Sequence, residues 1–188
     1  AEIQRSGQRY PVGENTGNTP NNPPSGRVEY PSSRYQSVSI FNGGVRVNVP
    51  NNWRQVGDGN SVWFVPAGGF GVVNNQPVFT HGASFGVAQT NNRNLQRATE
   101  ELINSLAQSN TRLRMRGGYQ RTTLSGRNAL FSTLSNVNEA TGRAEAVRLI
   151  TTQLRGGQLF YMITVAPQNE RGFENAFNTI LRSVRIND

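Results

Sequence analysis

The chain has 188 residues, a formal charge of +8 and a hydrophobic fraction of 35%. That length suits one domain, or one domain with a tail, and no apolar run approaches the ~20 residues needed to span a bilayer. All 19 basic residues are arginine and cysteine is absent. These absences exclude a Walker phosphate loop, Schiff-base chemistry, disulfides, thiol nucleophiles and cysteine-held zinc or iron–sulfur centres.

His81 is the single histidine, and Asp58 and Asp188 are the two aspartates. A zinc site normally needs three or four convergent His, Cys or carboxylate ligands, so no metal and no cofactor is expected in this chain. The positive balance favours acidic partners and says nothing about fold. The start, Ala1-Glu2-Ile3-Gln4-Arg5, has no apolar signal core, so any targeting segment is expected to have been removed or to lie outside this chain.

Residues 1–34 read as a flexible linker. Five of the nine prolines fall there (Pro11, Pro20, Pro23, Pro24, Pro31), and the run from Gly13 to Pro24 has almost nothing to bury. Such composition does not offset the entropy of ordering. A single folded domain is expected over 35–188. Val38, Ile40, Val45, Val47 and Val49 alternate with polar residues around Asn42-Gly43-Gly44, which predicts a hairpin with one buried face. Pro50 ends it, and Trp53 follows as an aromatic plug. Val62–Val65 is a short third strand stopped by Pro66. Residues 67–77, rich in Gly and Asn, read as a loop, and His81–Gln89 as another strand.

Asn92 or Asn94 can cap the next helix. Its apolar face is Leu95, Ala98, Leu102 and Leu106, with Thr99 and Ile103 beside them, and it ends near Ser109-Asn110. Four strands follow at roughly 112–124, 127–136, 144–154 and 158–166, separated by turn signals, and short connections require antiparallel neighbours. Phe173, Ala176, Phe177, Ile180 and Leu181 mark a second amphipathic helix. The order is strands, helix, four-strand meander, helix, which is an α+β sandwich with a mainly antiparallel sheet and two main helices.

His81-Gly82-Ala83-Ser84-Phe85-Gly86 contains G-x-S-x-G. In α/β-hydrolases that pattern places a nucleophilic serine on a strand-to-helix turn, with the histidine last in chain order. Here the strand continues past Gly86 and His81 precedes Ser84, so a glycine-bearing strand is the better reading. Arg112, Arg114 and Arg116 alternate, which at strand period sets all three on one face with Leu113 and Met115 on the other. With Arg121 they form a candidate anion- or partner-binding ribbon, since guanidinium forks match carboxylates and phosphates. The competing reading is a charged strand edge that resists aggregation. Trp53 and Trp63 are expected in the core or at its rim. Of Phe160 and Tyr161, one should face inward and the other outward. No catalytic residue is nominated.

A family resemblance runs through Tyr30-Pro31-Ser32-Ser33-Arg34-Tyr35, Val49-Pro50-Asn51-Asn52-Trp53 and Thr80-His81-Gly82-Ala83. It continues in Asn94–Glu100, Thr151–Tyr161, Ala166-Pro167-Gln168 and the closing Leu181–Asp188. On these residues the chain resembles the carboxyl-terminal region of bacterial HExxH zinc metallopeptidases of the HtpX/CAAX-protease type, as in acidobacterial chains. The architecture resembles PsbP-like α-β-α sandwiches, in which V-P-x-x-W follows the first hairpin. The resemblance implies a non-catalytic accessory domain of a secreted or envelope (periplasmic) metallopeptidase. It would bind a protein partner, a substrate or the parent's peptidase domain. Zinc is implied only in that catalytic domain, because this chain has no HExxH and no peptidase residue carries over. The alternative is a stand-alone module for an anionic ligand, envelope polymer or nucleic acid, held by the arginine strand; nucleic acid is the less expected partner, since such arginines would normally have aromatic stacking beside them.

Overall fold

The computed structural model describes residues 27–57 and 59–188. The expected linker over 1–26 lies outside the described residues. Among the described residues, twelve strands and two helices follow in chain order. They are β1 (Tyr35–Ile40), β2 (Val45–Pro50), β3 (Arg54–Val56), β4 (Ser61–Val65), β5 (Phe70–Val73), β6 (Gln76–Phe79), β7 (Gly82–Ala88) and α1 (Leu95–Ser109). After α1 come β8 (Arg114–Leu124), β9 (Arg127–Val137), β10 (Ala144–Gln153), β11 (Leu159–Pro167), α2 (Glu174–Ser183) and β12 (Arg185–Ile186).

The main sheet has seven strands in the order β3-β4-β7-β11-β10-β9-β8, and each pairing is antiparallel. One face carries α1, whose Ala98, Leu102, Ile103 and Leu106 pack with Trp63, Leu149, Tyr161, Ile163 and Val165. The other face carries α2 and the small sheet β1-β2-β12. There Val45, Val47, Val49, Trp53, Phe173, Phe177 and Ile180 pack with Phe64, Phe85, Phe160 and Met162. This is the α+β sandwich that the sequence pattern implies, with a layer on each side of an antiparallel sheet.

Coverage of both faces explains one departure from expectation. Phe160 and Tyr161 are both fully buried, on opposite faces, because β11 is the central strand and has no solvent side. Strands buried on both faces read as continuous apolar runs, as Leu159–Val165 does. Both tryptophans are core residues, as expected. Trp63 stacks on Phe79 with centroids 4.3 Å apart, and Trp53 meets Phe177 edge-on at 6.2 Å.

Two elements depart from the sequence reading. The stretch expected as a loop at 67–77 holds most of the β5–β6 hairpin, turning at Asn74 and Asn75 with φ of 51° and 60°. Asparagine tolerates the left-handed region that a tight hairpin turn demands. β3 is a three-residue strand pairing with β4, too short to leave a periodic signal. The first helix is capped by Asn94, whose side chain accepts from Arg97 N–H at 3.1 Å.

Residues 28–34 fall within the stretch expected as linker, and they lie against the domain. Glu29 N–H donates to the Ala67 carbonyl at 2.9 Å, and Asn51 N–H to the Arg34 carbonyl at 2.9 Å. The Asn52 side chain donates to the Tyr30 carbonyl and accepts from Ser32 N–H. Tyr30 stacks on Phe173 with centroids 5.8 Å apart. A few main-chain bonds and one aromatic contact order a segment whose composition is poor in apolar residues.

Candidate functional site

Ser84 lies in the middle of β7, fully buried, opposite Trp63 of β4 and Ile163 of β11. Both glycines of the G-x-S-x-G pattern have packing roles. A Cβ at Gly86 would fall 2.0 Å from the Tyr161 hydroxyl oxygen, and one at Gly82, with φ of +143°, would fall 2.6 Å from the Phe64 carbonyl oxygen. His81 is buried and committed elsewhere. Its Nδ1 meets the Thr80 hydroxyl at 2.9 Å, its Nε2 meets the Glu170 carboxylate, and its ring packs on Phe173. Burial lowers the His81 pKa, Glu170 opposes that shift, and Arg143 adds to it. The sequence motif is therefore a close-packed central strand, with no strand-to-helix turn at the serine.

The four arginines proposed as one ribbon are not side by side. Arg112 sits in the turn before β8 and is outside the strand. Arg114 and Arg116 lie opposite Ser135 and Thr133 of β9. The register then shifts between Arg116 and Gln120, around Gly117 with φ of +78°, and Arg121 lies opposite Leu130. Directly paired residues share a face of the sheet, and successive β9 residues alternate between faces. Thr133 and Leu130 are an odd number of positions apart, so Arg121 is on the face opposite to Arg114 and Arg116. The bulge breaks the period on which the ribbon depended. Arg114 also donates to the Thr111 and Leu113 carbonyls, and Arg116 to the Ser135 hydroxyl.

A different basic site lies between the β8 end and the α2–β12 corner, a groove of about 790 Å³. Its apolar lining is Leu124, Phe131, Ile150 and Leu181, and its basic lining at the α2–β12 corner is Arg182 and Arg185; Arg121 borders it from the edge strand, with its side chain on the Leu130 face, opposite to Phe131. A smaller hollow containing Phe177 and Met162 continues beneath the same Phe131, Ile150 and Leu181. Arg121, on the outermost strand, also borders a hollow on the opposite face with Asn94, Leu95 and Leu130.

The guanidinium of Arg185 donates to the Arg182 and Val184 carbonyls at 3.1 and 2.8 Å. Cations at a helix C-terminus complement its dipole, so part of this charge steadies α2. Two neighbouring arginines are neutralised: Arg127 pairs with Asp188, and Arg148 with Glu174 at 3.4 Å. Among the described residues, Arg121, Arg182 and Arg185 have no carboxylate partner. Sequence reading included Arg121 and missed Arg182 and Arg185. They are about sixty positions further along the chain; α2 carries Arg182 to the groove, and the pairing of β12 with β2 carries Arg185.

A buried polar cluster lies at the end of the sheet where β9 turns into β10. Glu145 is 2% exposed. Its two oxygens accept from the side chains of Asn136 and Asn138, each at 3.1 Å. Burial pushes its carboxyl up to about 7, against the opposing pull of the two asparagine donors. The Asn138 side-chain oxygen Oδ1 accepts from Ala140 and Thr141 N–H, so this residue also closes the turn. Among the described residues no group of three or more His, Asp or Glu is placed to hold a metal. No described helix is long and apolar enough to cross a membrane.

No protein-family model matches the sequence, and no curated protein matches it. Solved structures do match in fold. The Ran-binding protein Mog1p of Saccharomyces cerevisiae superposes with a TM-score of 0.58 at 10% identity, covering 82% of this chain and 96% of that one. CyanoP, the PsbP of the cyanobacterium Synechocystis, superposes at 0.54 with 12% identity, covering 94% and 99%. A Bacteroides thetaiotaomicron protein superposes at 0.52 with 13% identity, covering 81% and 48%. The chain has the Mog1/PsbP-like α+β fold. At these identities the likeness concerns architecture, and function must be argued from the site.

Proposed function

We propose that this chain is a non-catalytic interaction domain whose working surface is the groove between β8 and the end of α2. The observation that carries the reading is a ligand-sized groove with apolar walls and two arginines, Arg182 and Arg185, that have no carboxylate partner among the described residues. Ligand sites combine apolar walls with a few convergent polar groups, and this groove does so without any nucleophile–base pair. That Mog1p is a Ran-binding protein agrees with protein binding by this architecture.

The more specific reading is an accessory domain of a secreted or envelope zinc metallopeptidase, attached through the proline-rich residues before Arg27. The residues that carry the family resemblance support it. The domain would position a substrate or the parent's own peptidase domain, and zinc would belong to that domain alone. The gene decides the parentage: an HExxH-encoding segment in the same reading frame supports it, and a reading frame without one refutes it. Purified chain that hydrolyses casein in a chelator-sensitive way would contradict the non-catalytic role. A second reading, an anionic polymer held along β8, is favoured by the exposure of Arg114 and Arg116. It predicts retention on a polyanion column that falls steeply with salt and is lost in Arg114→Ala/Arg116→Ala.

A further inference from the structure

We infer that Asn52, Ala67, Gly172 and Phe173 form a binding site for an extended peptide segment. In this chain its own residues 28–34 fill the site, and a partner protein's segment of the same chemistry takes their place: an aromatic residue followed by proline and a small polar residue. This surface shares no lining residue with the groove beside α2, and it goes beyond the reading given to that groove.

The site reads main chain. The Asn52 carboxamide donates from Nδ2 to the Tyr30 carbonyl at 2.8 Å and accepts on Oδ1 from Ser32 N–H at 2.9 Å. One side chain that offers both a donor and an acceptor thus holds a carbonyl and the N–H two residues on, as a neighbouring strand would. The Ala67 carbonyl accepts from Glu29 N–H at 2.9 Å, and Asn51 N–H donates to the Arg34 carbonyl at 2.9 Å. In strand addition, main-chain bonds supply affinity and side-chain pockets supply specificity. Here the pocket suits an aromatic ring. Tyr30 stacks on Phe173 with centroids 5.8 Å apart, and it lies over Gly172, where a Cβ would fall 2.4 Å from the ring.

The receiving side is built from contacts that do not involve residues 28–34. Phe173 meets His81, Phe177 and Trp53 with centroids 4.8, 6.1 and 6.4 Å apart. Asn52 sits in a turn closed by Trp53 N–H on the Pro50 carbonyl. A site organised before its occupant arrives has a lower ordering cost. The occupant, by contrast, is held lightly. Tyr30 is 63% exposed, and Glu29, Ser33 and Arg34 are exposed beside it. Segments with few buried contacts and exposed hydrogen bonds open without global unfolding. Opening would bare Phe173, now 1% exposed, and an incoming aromatic ring covers it again. Pro31 restricts itself and Tyr30 to extended backbone, so a segment of this kind reaches the site close to its docked shape.

The test is fluorescence anisotropy with a labelled peptide of residues 27–34 and the full chain carrying Tyr30→Ala. The wild-type segment competes at an effective concentration of order millimolar. The peptide should therefore bind Tyr30→Ala saturably, at least about tenfold more tightly than wild type. Adding Asn52→Ala should weaken binding about tenfold, since two hydrogen bonds are lost. Two changes leave the protein untouched: the Tyr30→Ala form of the peptide should not bind, and methylation of the peptide nitrogen of Ser32 should weaken binding. Thermal melts of each variant separate lost binding from lost fold. Absence of saturable binding to Tyr30→Ala, equal affinity for it and for wild type, or indifference to both Asn52→Ala and the methylated peptide overturns the inference. A wild-type chain that is dimeric by light scattering and monomeric as Tyr30→Ala assigns the site to a second copy and overturns it too.

Discussion

Glu145 offers the sharpest test of the packing, through Glu145→Gln. Its carboxyl is enclosed at the β9–β10 end with only two amide donors for company. Burial outweighs those donors and raises its pKa from an ordinary 4.5 to about 7. Folding therefore increases its affinity for a proton, and between those two values the folded state holds more protons than the unfolded one. Stability from the neutral carboxyl is complete below pH 4.5, declines as the pH rises, and is lost above about 7. At about 1.4 kcal/mol per tenfold, the offset between 4.5 and about 7 is worth roughly 3 kcal/mol.

Glutamine removes the charge and keeps the shape. Its amide group must face one of the two asparagines, and Asn136 is the one free to turn its own amide over. Asn138 is fixed by the Ala140 and Thr141 N–H groups on its oxygen. Urea unfolding of both proteins from pH 4 to pH 9 is the assay. The variant should be close to wild type at pH 4 and more stable by roughly 3 kcal/mol at pH 8. His81 works in the opposite sense: burial lowers its pKa, so its contribution is lost as the pH falls below about 6.5. The difference between variant and wild type cancels that term. Parallel curves for the two proteins across the whole range would refute the reasoning about the Glu145 enclosure.

Other substitutions probe the remaining layers. Gly86→Ala should destabilise by roughly 3 kcal/mol in urea melts, because its methyl would collide with the Tyr161 ring and hydroxyl. Ser84→Ala should change stability by less than about 1 kcal/mol, since its buried hydroxyl has no hydrogen-bond partner in the fold; a large loss would mean that the hydroxyl is used. Asn94→Ala should cost about 1 kcal/mol by removing the α1 cap. Tyr30→Ala should expose Arg34 to trypsin at concentrations that spare the wild type, because stacking on Phe173 anchors residues 28–34; equal cleavage of both would remove that anchor.

Legibility in the sequence follows the range of the interaction. The β1–β2 hairpin, α1 with its Asn94 cap and the four-strand meander could be read because each is encoded by neighbouring residues. Alternating valines, a helical stripe and glycine-bearing turns are local patterns. The β5–β6 hairpin escaped because Asn74 and Asn75 take the left-handed turn without glycine. The docking of residues 28–34 escaped because it depends on Asn52, Ala67 and Phe173, distant in sequence and close in space. The arginine ribbon failed for a related reason. Strand parity holds only while register holds, and the irregularity around Gly117 moves Arg121 to the other face.

The candidate site combines both kinds of information. The β8–β9 end of the groove is local, a hairpin closed by Ser125 and Gly126 with φ of 52° and 75°. The opposite flank exists only because the chain returns after α2 and pairs β12 with β2. That return places Arg185 opposite Arg46 and beside the groove that Arg182, in the last turn of α2, also lines. A packing explanation accounts for Arg182 and Arg185 as partners of the helix end. It does not account for the half-buried Phe131 and Leu181 at the groove's mouth. That opening suits a partner that covers Phe131 and Leu181 beside Arg182 and Arg185.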